Sequence, residues 1–162
     1  MHYYYYYYLR QTMYIAESCI CHTNLRHIAT SGLMMEVGDS PVRDALDKRA
    51  ATARDIWRCA ENKPQLEMPL AAFEHMLHIS EIWETDNGTP CTVWYAITYR
   101  SECKGHWERV KSANMAYPIV ISRMRDGRWD ILDGLHRYLR AKYTDHAPTI
   151  IACEITLKDV SI

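Results

Sequence analysis

Along the chain the spacing of apolar positions changes several times, and each change marks a predicted element. Between Asp39 and Asn62, the residues Val42, Leu46, Ala53, Ile56, Trp57 and Ala60 fall on one helical face. Ser40 is placed to cap this helix, Pro41 suits its first turn, Asp44 and Lys48 make an i,i+4 pair, and Pro64 ends it. Leu66 to Leu70 reads as a short extended piece, and Ala71, Phe73, Met76 and Leu77 follow as a brief helix. Asp86-Asn87-Gly88-Thr89-Pro90 predicts a turn. Beyond it Val93, Tyr95, Ile97 and Tyr99 alternate with Trp94, Ala96 and Thr98, the pattern of a half-buried strand. Gly105 then introduces a helix from His106 to Asn114.

The second half is more strongly punctuated. Pro118 to Met124 is a short apolar strand, and Asp126-Gly127 marks a tight hairpin turn into a strand from Trp129 to Leu132. Asp133-Gly134 opens a helix carrying Leu135, Leu139 and Tyr143, and a last strand spans Thr149 to Ile155 after Pro148. The order predicts a single-domain mixed α/β fold, a small sheet packed with helices. Its expected divisions are an extension over residues 1–38, the amphipathic helix within 39–65, and the domain proper over 66–162. The tyrosine run Tyr3 to Tyr8 has neither helical nor strand periodicity and is expected to lie outside the fold, with Met13, Met34 or Met35 as alternative starts.

Composition narrows the function classes. The chain is 48% hydrophobic and 24% charged over 162 residues, enough for one core. Lys and Arg number 19 against 20 for Asp and Glu, so no global positive field recruits DNA or an anionic membrane. The six cysteines, at 19, 21, 59, 91, 103 and 153, form no Cys-x-x-Cys pair and read as reduced thiols, which with the lack of a long apolar run predicts a cytoplasmic protein and no membrane partner. Cys19, Cys21, His22 and His27 are spaced poorly for zinc. His75 and His78 are expected to be a surface pair, and Trp83, Trp94, Trp107 and Trp129 to be core. Gly-x-Ser-x-Gly, Walker-type and Gly-x-Gly-x-x-Gly motifs are absent.

The candidate chemistry lies at Asp133-Gly134-Leu135-His136-Arg137. A strand running through a glycine into a helix gathers unpaired backbone N–H groups and the positive end of the helix dipole, which suits an anion. Gly134 permits close approach, Arg137 offers a planar donor fork, and His136 is a further donor. Asp133 has three open roles: a helix cap, a base taking a proton from a hydroxyl or water, or a magnesium contact. Residues 123 to 142 carry Arg123, Arg125, Arg128, Arg137, Arg140 and Lys142 against Asp126, Asp130 and Asp133. That local surplus fits a phosphate-bearing ligand.

Trp129-Asp130-Ile131-Leu132-Asp133-Gly134-Leu135-His136-Arg137 resembles the hydrophobic-D-G-x-H-R signature of the ParB/sulfiredoxin superfamily. His106-x-x-Arg109-Val110-x-x-Ala113 followed by Tyr117-Pro118-Ile119 is similar to the H-x-x-R helix and Y-P-I strand of small stand-alone ParB-like proteins, so the likeness covers residues 106 to 155. It implies a ParB/sulfiredoxin-like core and a nucleotide, ATP, ADP or CTP, whose phosphates meet Gly134, Leu135, His136 and Arg137, with His106 and Arg109 completing the pocket. Leu135 stands where sulfiredoxins have a reactive cysteine and partition proteins a glutamate, which argues against both of those activities. The D-G-x-H-R branch includes free-serine kinases, so the expected activity is phosphoryl transfer or nucleotide hydrolysis, with Asp133 and His136 catalytic and magnesium beside Asp133. The competing expectation is a DNA-binding or nuclease-like accessory protein that sets the same arginines on backbone phosphates. The acceptor, a small molecule or a nucleic acid, and any pairing with a second copy of the chain stay open.

Overall fold

The computed structural model describes residues 40–79 and 83–160. The tyrosine run, the alternative starts and the Cys19 to His27 cluster lie outside those residues. The fold is mixed α/β. Four strands form one sheet: β1 (Gln65–Pro69), β4 (Ile119–Arg123), β5 (Trp129–Asp133) and β6 (Thr149–Glu154), in the order β1-β6-β4-β5. The central pair β4 and β6 is parallel, while β1 with β6 and β5 with β4 are antiparallel. A separate two-stranded ribbon joins β2 (Trp83–Glu84) to β3 (Pro90–Cys91) around the turn expected at Asp86 to Pro90.

Helices cover both faces of the sheet, which is why Ile119, Val120 and Ile121 of β4 are all buried and read as a continuous apolar run. Ile119, Ile121, Ile131, Ile150 and Ala152 share the larger core with Phe73, Trp107, Tyr138 and Leu139. Val120, Cys153 and Ile155 share a smaller core with Val42, Leu46, Ala60 and Val160. The elements that build the first layer are the 3-10 helix Leu70–Leu77, α3 (Val93–Thr98), α4 (Lys104–Ser112) and α5 (Leu135–Tyr143). The second layer uses α1 (Pro41–Lys48), α2 (Ala53–Ala60) and the four-residue α6 (Leu157–Val160). Among the described residues no helix is long and apolar enough to cross a membrane.

Two elements depart from the sequence pattern. The single helix expected between Asp39 and Asn62 is two. Ser40 caps α1 as anticipated, its Oγ accepting from the Arg43 N–H at 3.3 Å, but α1 then closes with Ala50 at φ +49° and an Ala51 N–H bond to the Leu46 carbonyl at 3.0 Å. This is a Schellman-type stop in which alanine holds the place glycine usually takes. Thr52 restarts the chain with a capping box to Asp55. Val93 to Tyr99, expected as a strand, instead forms α3 over Val93–Thr98, because Thr92 caps it at Tyr95 N–H (3.0 Å) and Val93 and Ala96 bury at helical spacing. Trp94 is therefore 48% exposed rather than in the core.

Candidate functional site

β5 ends at Asp133 and α5 begins two residues later, with Gly134 alone between them. The β4–β5 register shifts here: Ile121 faces Ile131 while Val120 faces Asp133, so Leu132 is a bulge that turns the end of the strand. Gly134 sits at φ +97°. A Cβ on it would lie 2.7 Å from Arg137 Nη2 and 2.8 Å from Ile119 Cγ2, so both the backbone angle and the space demand glycine.

Asp133 is not the cap of α5. Gly134 holds the cap position and no side chain bonds the first turn, which leaves its backbone N–H groups for something else. The Asp133 carboxylate instead accepts two hydrogen bonds on Oδ2, from Arg137 Nη2 at 2.8 Å and from the Trp57 indole N–H at 3.0 Å. Trp57 reaches it from α2, and the Arg137 guanidinium lies 5.2 Å from the centre of the Trp57 ring. Folded back over Gly134 in this way, Arg137 keeps a buried Nε with no partner. Leu135 packs its side chain against the larger core, so only its backbone belongs to the site.

On the other side of the same helix start stand three aromatic rings. His106 and His136 both lie nearly parallel to Trp83, with centroids 4.0 and 4.9 Å from it and interplanar angles of 15° and 18°. The two imidazoles are 15° from parallel, and His106 Nδ1 meets His136 Nε2 at 3.1 Å. They are edge-to-edge partners lying side by side on one indole face.

Local chemistry pins α4 so that this contact forms. The Asp86 carboxylate, from the β2–β3 turn, accepts the N–H groups of Lys104 and Gly105 at 2.9 and 3.1 Å and so ties the start of α4 to the ribbon carrying Trp83. Arg140 of α5 donates to the Lys111 and Ala113 carbonyls at the far end of α4, at 3.0 and 2.9 Å. The Trp107 indole N–H donates to the Ala96 carbonyl at 2.8 Å.

Burial lowers the His136 pKa to about 4, helped by the positive charge of Arg109 and by the neighbouring His106, with Asp133 opposing. His106 is also lowered, first by burial and then by Arg109. Both rings are therefore neutral at pH 7 and act as hydrogen-bonding groups. Arg109 is exposed one helical turn beyond His106.

The basic segment looks different once folded. Arg125 pairs with Asp44 at 3.1 Å, Arg137 with Asp133, Arg140 with Asp145 at 3.3 Å, Arg128 with Asp126, and Lys142 with Glu74. Arg123 lies over the Trp129 ring at 3.4 Å. Asp130 is buried under a two-pronged bond from Arg43, at 2.9 and 2.7 Å, which clamps α1 to β5. His75 is not half of a surface pair, since its Nε2 hydrogen-bonds the Trp129 carbonyl oxygen at 2.7 Å. The four described cysteines, Cys59, Cys91, Cys103 and Cys153, are free thiols, and burial pushes Cys91 up to about 12.

A groove of about 540 Å³ is lined by Arg54, Trp57, Arg58, Lys63, Pro118 and Cys153. It touches the site only through Trp57, and the chemistry gathered at His136 and Arg137 lies outside it. Sequence reasoning missed Trp57, Trp83 and Asp86 as parts of the site, because each arrives through tertiary contact and belongs to no local motif. The Asp86-Asn87-Gly88 turn was visible, but not that its carboxylate would seat the helix of His106. No family model, curated protein or solved structure matches the chain.

Proposed function

We propose that the chain binds a nucleoside di- or triphosphate at the start of α5 and performs phosphoryl transfer or nucleotide hydrolysis there, within a ParB/sulfiredoxin-like core. The observation that carries this reading is the meeting of His106 and His136 at 3.1 Å beside an uncapped helix start. The two segments whose sequence resembles the superfamily, thirty residues apart, supply one site. A phosphate fits the groups present: the free backbone N–H groups of the first turn, the unpartnered buried Arg137 Nε, and the positive Arg109 nearby.

Asp133 holds Arg137 and Trp57 through one oxygen, Oδ2, and the other oxygen remains as acceptor for a hydroxyl or water proton. No group of three or more His, Cys, Asp or Glu side chains suited to a metal occurs among the described residues, so a magnesium ion would take Asp133 and the nucleotide's own oxygens. Bound there, magnesium would neutralise charge on the phosphates. The DNA reading is weaker, since five of the six cations between 123 and 142 already pair with carboxylates.

Calorimetry with ATP, ADP and CTP in magnesium buffer tests the proposal, with Arg137→Ala as the control and circular dichroism to show that the variant folds. At least one nucleotide binds the native chain, and the variant loses about tenfold or more in affinity. No heat of binding with any of the three overturns the reading.

A further inference from the structure

We propose that the groove beside Trp57 receives the base and ribose of the nucleotide whose phosphates lie at the start of α5. The inference rests on the nucleotide reading and extends it, giving the nucleoside half of the ligand its own residues.

The groove and the helix start share a wall. The Trp57 indole N–H donates to Asp133 Oδ2 at 3.0 Å, and the Arg137 guanidinium lies 5.2 Å from the centre of that ring. The same Trp57 lines the groove. A second seam runs through β4: Pro118 lines the groove, and the next residue, Ile119, holds its Cγ2 2.8 Å from where a Cβ on Gly134 would stand. A ligand held by its phosphates at the first turn of α5 therefore has the groove as its neighbouring space.

Size and lining select the nucleoside. The volume of about 540 Å³ falls within the range usual for small-molecule sites, and a small hydroxyl-bearing acceptor would leave most of it empty. Trp57, Ala60, Pro118 and Cys153 give an apolar wall of the kind that accepts the face of a base. Asn62 and Gln65 also line the groove, both are exposed, and each amide offers a donor and an acceptor to a base edge or a ribose hydroxyl. Gln65 lies opposite Cys153 in the β1–β6 register, so the two share one face of the sheet. Charge argues the same way. The lining cations Arg54, Arg58 and Lys63 are offset by the lining Glu61, by Asp55 at 3.7 Å from Arg58, and by Asp159 paired with Lys63, three charges against three. With no net charge to offer, the groove suits the uncharged half of the ligand and not a second phosphate.

The test separates the two halves with inorganic tripolyphosphate as a phosphate-only probe. The 15N-labelled full chain is titrated in magnesium buffer with tripolyphosphate, ATP, ADP and CTP, and the side-chain amide signals of Asn62 and Gln65 are followed beside calorimetry. Tripolyphosphate should move the backbone signals of the first turn of α5 and leave both amides in place. At least one nucleotide should move the amides as well and bind about tenfold or more tighter than tripolyphosphate. Gln65→Trp fills the groove from an exposed strand position, so it should abolish that advantage while tripolyphosphate binds as before, with circular dichroism showing that the variant folds. A nucleotide that saturates the native chain without moving either amide, that binds no tighter than tripolyphosphate, or that keeps its advantage in Gln65→Trp overturns the inference and leaves the phosphate site standing. Absence of binding by all four probes removes the nucleotide reading, and this inference with it.

Discussion

The two sides of the α5 start solve the same problem with opposite chemistry. On one side Asp133, Arg137 and Trp57 form a charged cluster, held by hydrogen bonds of 2.8 and 3.0 Å to a single carboxylate oxygen. On the other, Trp83, His106 and His136 form a neutral stack, held by ring faces and one N–H···N bond. The charged side is tethered to α2 in the smaller layer, and the stacked side to the ribbon and α4 in the larger one. Each layer of the fold thus contributes one wall, and Gly134 is the joint. The ion pair of Arg137 with Asp133 thus lies on one flank and the stacked, uncharged rings on the other.

Breaking the joint has the largest effect. Gly134→Ala forces a Cβ into a left-handed backbone and against Ile119 and the Arg137 guanidinium, so it should destabilise the fold by about 2–4 kcal/mol. Urea unfolding measures this, and NMR of the variant should show both flanks displaced. A loss under about 1 kcal/mol, with both flanks intact, would mean that the strand–helix junction relaxes freely and the flanks are not coupled through it.

Trp57→Phe separates the flanks, because it removes the indole donor to Asp133 and leaves the ring stack untouched. The expected cost is about 1 kcal/mol in the same unfolding experiment, the usual worth of one partly exposed hydrogen bond. The imidazole resonances of His106 and His136 should keep their native positions. Their displacement would show that the charged cluster also sets the stack and that the division into two flanks is wrong.

Sequence alone made much of this legible, and the parts it missed share a cause. The β4–β5 hairpin announced itself through Asp126-Gly127, and Gly127 does adopt φ +86°. The strand–glycine–helix junction at 133–135 was equally plain, since Gly134 has the conformation that only glycine takes at low cost. Val93 to Tyr99 failed as a strand because so short a segment satisfies an alternating and a helical pattern at once, and the cap at Thr92 with burial of Val93 and Ala96 decided between them. The break after Lys48 was hidden because alanine, at Ala50, occupies a turn that glycine would have advertised. At the site, the sequence left Asp133 open between helix cap, base and magnesium contact, and the structure removes the cap, since the carboxylate turns to Trp57 and Arg137 instead. The surplus of positive charge in 123–142 dissolved because Asp44, Glu74 and Asp145 come from other segments to meet it. Local pattern carries backbone conformation well and long-range pairing poorly.

The smallest effect concerns the stacked flank alone and appears as a dependence of stability on pH. An unfolded His136 takes up its proton near the ordinary imidazole value of 6.5, while the folded ring does so only at about 4. Between those values the unfolded chain binds the extra proton, so this contribution is complete above about pH 6.5 and is lost progressively as pH falls toward 4. His106, lowered in the same direction, adds to the slope. Replacing His136 with Gln removes its share, and unfolding free energies measured between pH 7 and 4 should fall less steeply than in the native chain. Arg109→Ala should act in the same sense more weakly, because its charge is one cause of both depressed values and its loss lets each ring protonate at higher pH in the folded state. Trp57→Phe should leave the slope unchanged, since the indole it removes bonds Asp133 and not either ring. A His136→Gln profile that matches the native one would mean that folding does not depress the imidazole, and that the stack is open to water.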